Sequence, residues 1–181
     1  SFLHILNILG NIITGDNMKN KLLVIGFLLV GILVGCELNN TPTSKVEEQL
    51  SKYQMLDDDV TVVYTDLTTD VDIDNEYKER YEDLIKKQYR NLSYEVKEET
   101  LDGEMATVTV EVEVMDYQKV VEQYDNLMGD EYHVQVLTAL EEAKDKITYT
   151  IEFVVMKDEE GNWNLQSLDE VDKRKILGIN E

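Results

Sequence analysis

The polar and apolar positions of the second half of the chain alternate with a period of two. Ala106, Val108, Val110, Val112 and Val114 take every second place, and Thr107, Thr109, Glu111 and Glu113 fill the gaps. Successive side chains of a strand point to opposite faces, so this stretch predicts a strand with one apolar and one wet face. Ile147, Tyr149, Ile151, Phe153 and Val155 repeat the pattern, and a turn through Asp158-Glu159-Glu160-Gly161-Asn162 leads to a last strand with Trp163 and Leu165. Tyr94 and Val96 begin an earlier strand, and Asp102-Gly103 is a two-residue hairpin signal.

Helical spacing governs the segments before and between these strands. Tyr77, Tyr81, Leu84, Ile85, Tyr89 and Leu92 recur at steps of three and four after Asp74-Asn75, which predicts a helix with one side to bury. Lys78, Glu79, Glu82, Lys86 and Lys87 take its other side, with Glu82 and Lys86 placed to pair. Upstream, Ser44-Lys45-Val46-Glu47 has the form of a capping box and opens a shorter helix with Val46, Leu50 and Tyr53, ending near Leu56. The aspartate-rich stretch that follows favours turns, with a brief extended piece from Val60 to Tyr64. Asp116 is placed to cap a helix carrying Val120, Val121, Tyr124 and Leu127, with Gly129 to end it. Val136, Leu137, Leu140 and Ala143 mark another helix running to about Lys146, and the tail from Asp169 supplies a closing helical turn. Helices first and antiparallel strands afterwards predict an α+β fold, with N-terminal helices packed on a curved antiparallel sheet of about four strands.

The longest apolar run lies outside this pattern. Leu22 to Gly35 is uncharged, follows Lys19 and Lys21, and closes on Leu33-Val34-Gly35-Cys36. A run of that size suits the h-region of an export signal and falls short of the roughly 20 residues a spanning helix needs. The closing tetrapeptide resembles the lipobox of bacterial lipoproteins. That resemblance implies signal-peptidase recognition through Leu33, Val34 and Gly35, cleavage before Cys36, and diacylglyceryl transfer to the Cys36 sulfur. It places the protein on the extracytoplasmic face of the cell membrane. Two or more acyl chains hold a protein stably where one holds it marginally. The domain boundaries expected are an upstream extension at 1–17, a lipoprotein signal at 18–35, a lipidated tether at 36–44 and a single domain from 45 to 181.

Charge narrows the function further. The formal net charge is −21, from 17 basic and 38 acidic residues. Such a chain repels a phosphate backbone, which excludes a nucleic-acid binder, and its charged partners are expected to be cationic. Cys36 is the sole cysteine, so no disulfide within the chain is available and stability rests on the core. The strings DGEMATVTVEVEV and KDEEGNWNL resemble the sheets of the cystatin-like or NTF2-like α+β domains of small exported lipoproteins from low-GC Gram-positive bacteria. Several of these carry domains of unknown function, and the resemblance implies a cone-shaped sheet able to enclose a ligand.

Candidate chemistry is sparse. Asp70, Asp72 and Asp74 have the first spacings of a calcium loop, but Asn75 stands where the turn glycine belongs and Tyr81 where the bidentate glutamate belongs, with Glu82 one place late. Asp57-Asp58-Asp59 is a second acidic run. The expectation is a solvated, helix-capping loop and no metal. His133 has no second histidine or free cysteine nearby in sequence to share a zinc, and a surface or half-buried helix position is expected for it. Serines 44, 51, 93 and 167 sit in no nucleophile elbow. Tyr81, Tyr89, Tyr149, Phe153 and Trp163, with Tyr77 and Tyr94, either fill the core or line a pocket. The sequence thus predicts a membrane-anchored lipoprotein that works without a cofactor as a non-catalytic binding or interaction module, its partner an envelope protein or a small ligand. The alternatives are a small-molecule binder with a cavity between sheet and helices, and a hydrolase or isomerase-type enzyme using His133 with Glu111 or Glu113.

Overall fold

A computed structural model of the chain describes residues 40–179. The leader, the lipobox and Cys36 lie outside these residues. Among the described residues there are five α-helices, two 3-10 turns and four strands: α1 (Pro42–Met55), α2 (Asn75–Asn91), β1 (Ser93–Asp102), β2 (Met105–Met115), α3 (Tyr117–Val121), α4 (Gly129–Glu142), β3 (Lys146–Lys157), β4 (Trp163–Leu165) and α5 (Glu170–Ile176). The order is that expected from the sequence. No helix among the described residues is long and apolar enough to cross a membrane.

The strands form one open antiparallel sheet in the order β1-β2-β3-β4. Its registers follow the alternation. Val108 faces Phe153, Val110 faces Ile151 and Val112 faces Tyr149, which gathers the apolar set of both strands on one side. These side chains are buried, together with Ala106, Val114 and Val155. Each fully buried Val, Ile or Phe contributes about 1.5–3 kcal/mol relative to exposure. On the wet side Lys146 pairs with Glu113 at 2.7 Å, and Lys97, beside a bulge in β1, reaches both Glu95 and Glu111. The hairpin joining β1 to β2 turns through Gly103-Glu104, one residue later than the Asp102-Gly103 signal, because Asp102 pairs with Met105 and only Gly103 takes a positive φ of 64°.

Helices cover the apolar side. Helix α2 buries Tyr81, Leu84, Ile85, Gln88 and Tyr89, and α4 buries His133, Val136, Leu137 and Leu140. Helix α1 adds Val46 and Leu50. Several local expectations are corrected. The first helix begins at Pro42, with Thr41 as its cap: the Thr41 hydroxyl accepts from the Ser44 N–H at 3.1 Å and the Ser44 hydroxyl accepts from the Thr41 N–H at 3.0 Å. Ser44 is therefore the third helical residue and not the cap, and Pro42, whose fixed φ suits the first turn, is not linker. Residues 40 to 44, expected in the tether, belong to the folded unit. Val60 to Tyr64 forms no strand, and a 3-10 turn follows at Tyr64–Asp66. Gly129 opens α4 with φ 59° and does not close α3, which ends at Val121 before a second 3-10 turn at Glu122–Tyr124. On α2, Lys86 pairs with Asp83 at 3.0 Å and not with Glu82. Asp116 caps α3 as its position implies, accepting from the Lys119 N–H at 3.0 Å.

Candidate functional site

The groups of greatest chemical interest meet where the loop between α1 and α2 crosses the start of α4. Tyr77 and Tyr81 lie one helical turn apart on α2 and so share a face. His133 stands three and four residues before Val136 and Leu137, on the buried stripe of α4. It is 2% exposed, which corrects the surface or half-buried position expected for it. Three rings enclose it: Tyr77 stacks at 5.4 Å between centroids, while Tyr81 and Tyr132 meet it edge-on at 5.9 and 5.2 Å.

Both ring nitrogens are engaged. Nδ1 lies 3.0 Å from the Tyr81 hydroxyl and Nε2 lies 3.3 Å from Asp70 Oδ2. An ionised carboxylate only accepts, so Asp70 calls for the hydrogen on Nε2, and the Nδ1 lone pair then accepts from Tyr81. The chain of bonds continues. The Thr68 hydroxyl accepts from the Asp70 N–H at 3.2 Å, and Asp70 Oδ1 accepts from the Asp72 N–H at 3.3 Å. These bonds brace the loop that Asp70 joins to α4 at His133, and His133 in turn is joined to Tyr81 on α2. Burial raises the Tyr81 phenol well above its ordinary range, which keeps it protonated as a donor.

Asp70 and His133 border a cleft of about 450 Å³. Its rim also carries Asp66, Glu122, Asp125, Tyr132 and Arg174, so four carboxylates face one guanidinium. Burial first, and then the neighbouring Glu170, holds the Asp66 carboxyl above the usual carboxylate range. The Nε of Arg174 is buried without a hydrogen-bond partner.

The remaining sequence candidates are dispersed. Glu111 and Glu113, considered as partners of His133, sit on the wet face of β2 in pairs with Lys97 and Lys146, and the carboxylate beside His133 is Asp70. The Lys146 ammonium holds the Glu113 carboxyl below its ordinary value. Asp74 precedes α2 without a side-chain capping bond, and Asp59 pairs with Lys52 at 3.4 Å. Among the described residues no group of three or more His, Cys, Asp or Glu is gathered as a metal ion requires.

Of the aromatic candidates, Tyr81 stands behind His133, and Tyr89 borders a second cleft of about 460 Å³ with Tyr53, its ring 4.9 Å away. Tyr149, Phe153 and Trp163 pack into the core, and the Lys157 ammonium lies over the Trp163 ring at 4.8 Å. Neither the His133 cleft nor the Tyr89 cleft is lined by a strand residue; both open on the helix and loop side. Sequence reasoning missed Asp70 as the partner of His133, and Gln88 altogether. The helical spacing of His133 with Val136 and Leu137 carried the signal for its burial.

No family model and no curated protein matches the chain. Among solved structures it is similar to YcdA of Bacillus subtilis, provisionally assigned as a lipoprotein, with 18% identity and a TM-score of 0.37. The likeness covers 59% of this chain and 38% of YcdA, so the chain spans well under half of that protein.

Proposed function

We propose that the chain is a lipid-anchored protein of the extracytoplasmic membrane face, whose NTF2-like or cystatin-like α+β domain binds a ligand or envelope partner without transforming it. The address rests on the leader ending at Leu33-Val34-Gly35-Cys36, in keeping with the absence of a membrane-spanning helix among the described residues. The observation that carries the binding role is the state of His133. A general base must offer a nitrogen to the substrate proton, and here one nitrogen is taken by a buried tyrosine and the other by Asp70. The ring works as a fastening for the cleft wall. Four carboxylates around that cleft favour a partner that carries positive charge.

A hydrolase or isomerase-type reaction has one observation in its favour, the His133–Asp70 pair at the edge of a cleft. It requires Nε2 to exchange Asp70 for a substrate, which would break the bond that joins the loop to α4. The anchored reading is tested by Cys36→Ala. The expected result is loss of fatty-acid labelling and release of the protein from the membrane fraction; unchanged fractionation and labelling would refute it.

A further inference from the structure

We infer that the end of the sheet holding the two hairpin turns, Gly103-Glu104 and 158–162, is the surface that faces the lipid bilayer, leaving the His133 cleft at the far end. The inference rests on the lipid anchor proposed above and adds an orientation to it. Asn40 is fixed to this end: its Oδ1 accepts from the Trp163 N–H at 2.9 Å and its amide nitrogen reaches Asn162 Oδ1 at 3.5 Å. Three residues on, the Thr43 N–H and hydroxyl both donate to Glu99 on β1, at 3.1 and 2.7 Å. Cys36 precedes Asn40 by four residues, and four residues fully extended span at most about 14 Å. A diacylglyceryl group on Cys36 therefore keeps this end of the domain at the headgroups.

The surface there fits that position in part. Met105 pairs with Met156 and Val154 with Thr107 across β2 and β3 on the wet face of the sheet, and Met105, Val154 and Met156 are all exposed. They form a small apolar patch beside the turn, where the rest of that face is mostly threonine, glutamate and lysine. The same end also carries Asp102, Glu104, Asp158, Glu159 and Glu160 against Lys157, so the tether, and not charge, brings it to the lipid. Strand β2 runs from Met105 at this end to Met115, about 34 Å at the rise of an antiparallel strand. Helix α3 follows at once, and Gln118 and Val121 line the cleft. The cleft is thus presented away from the membrane, toward soluble or envelope partners.

Trp163, the sole tryptophan, is a built-in probe of this end. The full-length protein, purified from membranes after growth with a fatty-acid probe, is reconstituted into phosphatidylcholine vesicles containing dansyl-labelled headgroups. Energy transfer from Trp163 is compared with transfer in the Trp163→Phe, Met128→Trp variant, whose tryptophan replaces a cleft residue that is 86% exposed. The expected result is several-fold stronger transfer from Trp163. Equal or stronger transfer from position 128 in labelled protein overturns the orientation and leaves the anchor standing. Absence of the fatty-acid label removes the anchor and the orientation together. Because Trp163 packs into the core, the comparison is repeated with Met128→Trp alone, a change at an exposed position: transfer barely above that of the native chain supports the orientation, and transfer at least doubled overturns it.

Discussion

Gln88, buried in α2, is bonded in both directions to the backbone of Met115 at the end of β2: its amide nitrogen donates to the Met115 carbonyl at 2.8 Å, and its carbonyl accepts from the Met115 N–H at 3.0 Å. The same amide nitrogen donates to the Leu177 carbonyl at 2.9 Å. One side chain on α2 therefore serves three backbone groups, two at the end of β2 and one on the C-terminal segment. Gln88→Leu keeps the bulk and strands three backbone groups. The predicted loss is about 2–4 kcal/mol, read by urea denaturation, since each buried unsatisfied group costs about 1–3 kcal/mol and local relaxation recovers part.

Gly178 lies against the same junction. It has φ 76°, and an added Cβ would stand 2.0 Å from the Met115 carbonyl oxygen and 2.7 Å from Gln88 Nε2. Gly178→Ala should therefore destabilise by more than the ~1 kcal/mol of an ordinary left-handed strain, because the backbone of β2 cannot yield. Combined with Gln88→Leu, its effect should be less than additive, since both substitutions undo one docking event. Additive losses in thermal melts would contradict that coupling.

The two bonds of His133 predict an unequal response to removing its partners. Tyr81→Phe leaves a buried imidazole nitrogen without a partner and should cost about 1–3 kcal/mol. Asp70→Asn removes only the charge from a side chain that is 49% exposed; the asparagine amide oxygen still accepts from Nε2–H, and a loss under about 1 kcal/mol is expected. Chemical denaturation of the two variants in parallel distinguishes this order from its reverse.

Asp158 supplies a pH-dependent element. Its carboxylate accepts from the N–H groups of Glu160 and Asn162 at 3.0 and 2.8 Å and from the side-chain amide of Asn164 at 3.1 Å. Those bonds, the backbone one from Asn162 foremost, hold its carboxyl below the ordinary value. A lowered folded-state pKa gives stability that is present above the unfolded value and is lost as pH falls through the folded one. Asp158→Ala should accordingly lower Tm at neutral pH, and the difference from the parent should shrink as pH drops below about 3.9. A difference that is constant with pH would show that the carboxylate charge plays no part in the turn.

The sheet was legible because its chemistry is local and periodic. Val108 to Val114 and Tyr149 to Val155 alternate against threonine and glutamate, and an antiparallel sheet with one wet face leaves that imprint. Helix α2 was legible for the same reason at a period of 3.6. Boundaries were harder where one residue type serves two roles. Thr41 and Ser44 are both fit to cap, and the reciprocal bonds between them decide for Thr41. Pro42 suits a linker as well as a first helical turn, and Gly129, with its positive φ, could as easily have ended a helix as opened one. The site was the least legible part. His133 and Asp70 are 63 residues apart, joined through a loop with no period, and nothing local in Thr68-Thr69-Asp70 announces the histidine it will meet.

If this domain is carried to the membrane on a lipidated cysteine, the mass of the natural protein's N-terminal peptide will show it. The expected chain begins at Cys36, its sulfur in thioether linkage to a diacylglyceryl group. A natural protein with residues 18–35 still attached, or with a free thiol at Cys36, would contradict it.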